Sequence, residues 1–157
     1  MTMISFDHGK TRFHCRVGGV ALHNGRVLLN RFEDADFWFL PGGRAEFDET
    51  SHESLIREMR EELNEQASIE RLLWIAENFF QDGERTFQEL GLYFLISFPS
   101  SSSVYQQEAF LGYEKDVHLI YRWFPLDQVP ALNLKPDFLR KTLLELPEAP
   151  VHLIVRD

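Results

Sequence analysis

The sequence predicts an α/β/α layered domain, and three observations carry that reading. Apolar, strand-like runs recur along most of the chain. Two helical patterns, at 50–64 and 135–146, lie far apart in sequence. No internal repeat or long linker interrupts them. Helices set between strands of one mostly continuous sheet pack on its two faces. At 157 residues the chain has the size of one domain, so a single unit over 1–157 is expected.

The elements follow in order. Segments 12–23 and 26–32 read as strands joined by a tight turn at Asn24-Gly25, because an Asn-Gly pair between apolar runs is a strong hairpin signal. "FWFLP" at 37–41 reads as a short strand ending at a proline. Residues 50–64 show helical periodicity, with Leu55, Ile56, Met59 and Leu63 on one side, and Thr50 followed by Glu53 fits a capping box. Segments 68–80 and 86–98 read as a long strand pair. The second is apolar at nearly every position, as a strand buried on both faces would be. A polar loop is expected from 100 to about 116, then a strand at 118–124. Residues 135–146 carry a proline near the start and an apolar stripe, which predicts a second helix. "VHLIV" at 151–155 reads as a final edge strand.

Composition bounds the function. Sixteen Lys and Arg against 25 Asp and Glu give a formal net charge of −9, which argues against nucleic acid as the main partner. A phosphorylated small molecule remains compatible if a metal ion neutralises it. No apolar run is long enough to span a bilayer and the first residues lack a signal-peptide pattern, so no membrane partner and a cytoplasmic location are expected. The single Cys15 excludes an internal disulfide and a multi-cysteine metal site, and reads as a small core residue on a strand. Fourteen phenylalanines predict an aromatic-rich core or pocket.

The helix at 50–64 poses the central question. Glu58, Glu61, Glu62 and Glu65 occupy an arc beside its apolar face, spaced i,i+3 or i,i+4. Each like-charge pair costs roughly 0.2–0.5 kcal/mol. The C-terminal turn is also the wrong end of the helix dipole for acids, at about 0.3–1 kcal/mol each. A hard divalent cation removes that penalty, because carboxylate oxygens at this spacing can converge on Mg²⁺ or Mn²⁺. The helix follows a Gly-Gly turn, where the chain can bend sharply and expose a carbonyl to a ligand. Arg57 stands eight residues after Glu49 and could tie that turn to the helix.

Residues 43–65, GRAEFDETSHESLIREMREELNE, resemble the Nudix box, the signature of the Nudix hydrolases. Gly43, Glu49, Arg57, Glu58, Met59, Glu61 and Glu62 fall in place. Chance would produce this on the order of once in ten million windows. Asn64 stands where the pattern has glycine, which is mild because Asn suits a left-handed helix C-cap, and Glu65 replaces an aliphatic residue.

The resemblance implies an α/β/α sandwich with a mixed sheet. It implies hydrolysis of a diphosphate linked to another moiety, usually a nucleoside, with Mg²⁺ or Mn²⁺ as cofactor. It assigns metal binding to Glu58, Glu61, Glu62 and the backbone carbonyl of Gly42, and a structural pairing to Glu49 and Arg57. Glu58 and Glu61 become the candidate general bases. Some members take the base from a loop before a late strand, here 100–117, which offers Glu108, Glu114 and Asp116, with Glu114 favoured on the substrate side. Arg44 could contact a phosphate. Trp38, Phe79, Phe80, Phe87 and Tyr105 could stack on a base, although a Phe-rich chain uses most aromatics in its core. His23, His52 and His118 lack ligand spacing. Many members dimerise, so a homodimer is among the expected states. Two other readings share the fold: a silent nucleotide-binding sensor, which usually loses box glutamates, and an isoprenoid diphosphate isomerase, for which Cys15 is the sole candidate thiol.

Overall fold

Asn24 and Gly25 both adopt positive φ, at 52° and 74°, as a two-residue hairpin turn requires, and they join strands β2 (Thr11–His23) and β3 (Arg26–Phe32). The computed structural model describes residues 2–114 and 116–156. Ahead of β2 lies a strand the sequence reading did not find, β1 (Ser5–His8), antiparallel to β2 across a turn at Gly9. Across this hairpin Phe6 packs, tilted, against Phe13 with ring centres 5.1 Å apart.

β2 is the hub of a mixed sheet. Its first half pairs with β1 and with β4 (Gly42–Arg44) on one side. Along its other side it runs parallel to β6 (Arg85–Ser97), from Thr11↔Thr86 to Ala21↔Ile96. β5 (Ser68–Asp82) and β6 form a long antiparallel hairpin, and β9 (Val151–Arg156) adds to β5 in parallel. β8 (Leu119–Pro125) pairs with β3, and β7 (Ala109–Leu111) with β8, giving the order β7-β8-β3-β2-β6-β5-β9. β6 has no exposed residue from Glu89 to Ser97, in line with its apolar sequence.

Each face of this sheet is covered. Helix α1 (Ser51–Leu63) lays Leu55, Met59 and Leu63 against Val17, Ala21, Phe94 and Trp123. On the opposite face a 3-10 helix (Leu126–Ala131) and α2 (Leu139–Thr142) bury Val129, Leu139 and Leu143 against Val20, Leu73, Trp74 and Tyr93. Two adjacent glycines of β2 admit side chains from its parallel neighbour. A Cβ at Gly18 would stand 2.8 Å from the Tyr93 ring, and one at Gly19 would run 2.5 Å from the Ile96 side chain.

Two expected elements differ. Residues 37–41 form no strand: Trp38 and Phe39 make isolated bridges to Leu134 and Asn30, and regular pairing resumes only at β4. The helix expected over 135–146 contracts to the single turn of α2. The N–H groups of Leu139, Arg140 and Lys141 bond carbonyls three residues back, the tighter 3-10 spacing, so α-pairing is brief. The loop at 100–117 also holds a 3-10 turn (Ser103–Gln106) and β7.

Candidate active site

Thr50 caps α1, its hydroxyl accepting the Glu53 N–H at 3.1 Å. At the other end Asn64 takes the left-handed conformation, with φ 54° and ψ 38°. The Tyr113 N–H donates to the Glu62 carbonyl at 2.7 Å, so loop 109–114 satisfies one of the orphan carbonyls of the last turn.

Arg57 gathers the preceding turn onto the helix. Its Nε donates to both Glu49 oxygens at 3.1 and 2.9 Å, and Ser54 Oγ donates to Glu49 at 3.0 Å. Nη1 reaches Glu58 at 3.0 Å and Glu61 at 3.4 Å, and Nη2 reaches the Arg44 carbonyl at 3.3 Å. Glu46 approaches Nε at 3.6 Å. Burial opposes the charge on Arg57, but the hydrogen bond to Glu49 and the Glu58 carboxylate outweigh it and raise its pKa. The Arg57 hydrogen bond in turn holds Glu49 below the usual carboxylate range.

The two inner glutamates sit differently. Burial pushes Glu58 up, against the pull of Arg57. Glu62 is only 6% exposed and receives the Tyr121 hydroxyl at 2.8 Å. Burial, opposed by that hydrogen bond and reinforced by the charge of Glu58, pushes its carboxyl up to about 8. Among the described residues no cationic side chain lies within ion-pair distance of Glu62. Glu61, with half its side chain exposed, faces solvent. The glycines make the site narrow: a Cβ at Gly43 would collide with the Glu58 carboxylate, and one at Gly42 with the Val17 carbonyl. Pro41 and Ala45 bond directly to β2, so the ladder alternation turns the Gly42 carbonyl away from that strand.

This donor set is all oxygen, three carboxylates on one helix edge plus a backbone carbonyl, and it includes a buried carboxylate short of a cation. That chemistry fits a hard divalent ion. The side chains are not gathered on one point, since among the described residues no three acidic, histidine or cysteine groups converge as a ready metal site. Glu58 is instead turned to Arg57.

Residues 12–146 match the NUDIX domain. The chain belongs to the Nudix hydrolase family. Solved structures of the same fold include a UDP-X diphosphatase, at TM-score 0.62 and 21% identity over 89% of this chain and 66% of that one. A MutT protein from Bacillus halodurans gives 0.60 and 16%, covering 91% and 89%. An ADP-ribose pyrophosphatase from Streptococcus suis gives 0.54 and 15%, covering 90% and 98%. Comparison with curated proteins by sequence gives no match.

In this Nudix chain the remaining candidates disperse. Glu114 is close enough to Glu62 for its charge to act there. Glu108 contributes its carbonyl to Trp123, while Asp116 lines a separate hollow with Glu33, Asp34 and His118. Trp38 packs edge-on against Phe124, Tyr105 stacks near Trp123 and His23, and His52 lies edge-on to Phe94. Phe79 lies under Arg156, and Phe80 stacks on Phe87 at 4.9 Å. Cys15 lies half-buried on β2, and burial, with Glu89 adding to it, pushes its thiol up. Sequence reasoning missed Tyr121, Glu46 and Arg16, whose charge acts at both Glu58 and Glu62. Only the strand alternation of "HLIYRWF" placed Tyr121 on the face of Leu119 and Trp123, and nothing in it marked that face as the site's.

Proposed function

We propose that the chain hydrolyses the diphosphate linkage of a nucleoside diphosphate derivative, with Mg²⁺ or Mn²⁺ held by Glu58, Glu61, Glu62 and the Gly42 carbonyl. The observation that carries this reading is the buried Glu62 carboxylate beside Glu58, on a helix edge that gathers acids where the dipole disfavours them. The bound ion would supply Lewis acidity to the diphosphate oxygens and to the attacking water. Arg57 holds Glu49, Glu58 and the β4 turn in one frame, fixing the geometry before substrate arrives. Tyr121 orients Glu62 by donating to one oxygen and leaving the other for a ligand. Glu58 or Glu61 accepts the proton of the attacking water as general base, and Glu114, whose charge reaches Glu62, is the candidate that loop 100–117 offers to base and substrate. Arg44 serves the substrate's phosphates. The similarity in fold to a UDP-X diphosphatase and an ADP-ribose pyrophosphatase supports a nucleotide-linked diphosphate.

The test is product release from a panel of nucleoside diphosphate derivatives with Mg²⁺ or Mn²⁺, wild type against Glu62→Gln. Turnover on one compound, reduced at least about a hundredfold in the variant, is the expected result. Turnover unchanged by the substitution overturns the assignment.

A further inference from the structure

Arg16 and Arg44 stand opposite one another in the β2–β4 register, so their side chains share one sheet face. They are half-buried. Arg16 donates to the Leu40 carbonyl at 3.0 Å and lies 5.3 Å from the Phe39 ring centre. Among the described residues neither guanidinium has a carboxylate within 4.0 Å, although the chain carries 25 acids. Arg12, on the same face, is already taken by Asp7 at 2.7 Å. Like charges placed opposite one another on one face repel. Two adjacent, partly desolvated cations without an anion are costly, and a bound anion removes that cost.

The same face continues into a buried polar row. His14, two residues before Arg16, faces Glu89 of β6 at 2.6 Å, and Glu89 stands opposite Asn78 of β5. His14, Glu89 and Asn78 are each 6% exposed. Phosphate oxygens accept the planar donor fork of arginine bidentately, and a diphosphate offers oxygens to two such forks at once.

We propose that Arg16 and Arg44, opposed in the β2–β4 register, form a two-arginine clamp for the substrate's diphosphate, so that the organic half extends over the β2–β6–β5 face. The clamp adjoins the glutamates through β4, where Gly43, the residue before Arg44, lies against the Glu58 carboxylate. The inference rests on the diphosphate reading above and adds where the diphosphate is gripped and which way the substrate lies.

The experiment is calorimetric binding of inorganic pyrophosphate to the full chain in chelator-treated buffer, so that no metal contributes. Wild type binds. Arg16→Ala and Arg44→Ala each weaken binding about tenfold, and the Arg→Lys variants recover part of it. Far-ultraviolet circular dichroism confirms folding of each variant. No binding by wild type, or equal binding by a folded Arg16→Ala/Arg44→Ala double variant, overturns the clamp. The hydrolase reading fails separately. If pyrophosphate binds through the arginines but no diphosphate is cleaved, the clamp stands and that reading falls. If Glu62-dependent hydrolysis proceeds with unchanged KM in the double variant, the clamp falls alone.

Discussion

Gly43 holds the Glu58 carboxylate against bare backbone, and this makes it a sharp probe of the site. Gly43→Ala would push only the end of a flexible side chain. Its melting temperature should therefore stay close to wild type while kcat drops at least about tenfold, and assay and melt together check this. Arg57 behaves in the opposite way. Its side chain is 13% exposed and it balances Glu49 and Glu58, with Glu46 at 3.6 Å. Arg57→Ala leaves those carboxylates partly buried without their cation, and should cost about 3–5 kcal/mol in denaturant unfolding as well as activity. Tyr121→Phe removes the donor that favours the Glu62 carboxylate. Glu62 should then bind its proton more tightly, and the acid limb of the pH–rate profile should move to higher pH.

At the scale of elements, α1 depends on its ends. Thr50→Ala should destabilise the chain by about 1 kcal/mol, read from a chemical denaturation midpoint at unchanged slope. The same helix shows why parts of the fold were legible. Thr50, the Leu55–Met59–Leu63 stripe and Asn64 are all local signals, as is Asn24-Gly25, and local signals are what a sequence displays. β1, β4 and β7 are strands of three or four residues, too short to show an alternation, and 37–41 keeps only isolated bridges to Asn30 and Leu134. The 135–146 stripe was a true apolar pattern, but packing on Trp74 and Tyr93 uses it without a regular helix. The site divides likewise. The contact of Glu49 with Arg57 follows from a spacing of eight residues, while Tyr121 meets Glu62 across 59 residues and His14 meets Glu89 across 75.

For the whole molecule, Glu62 links stability to pH. Its folded value of about 8 lies above the ordinary 4.5, so the folded state holds the proton more tightly than the unfolded chain does. The resulting stabilisation is full below about pH 4.5 and is lost as pH rises toward 8. It amounts to on the order of a few kcal/mol. Metal-free wild type should lose melting temperature across that window relative to Glu62→Gln. Mg²⁺ or Mn²⁺ at pH 8 should restore it in wild type alone, by binding the folded state. Cooperativity of that transition depends on β2, which feeds both cores through Val17 and Val20. The Gly18 notch carries a kinetic consequence. Parallel pairing of β2 with β6 joins residues as far apart as Thr11 and Thr86, the slow kind of contact for a folding chain. A slip of two residues keeps every side chain on its face but sets Tyr93 opposite Arg16 or Val20 instead of the Gly18 notch, so that glycine proofreads the alignment before the sheet can close.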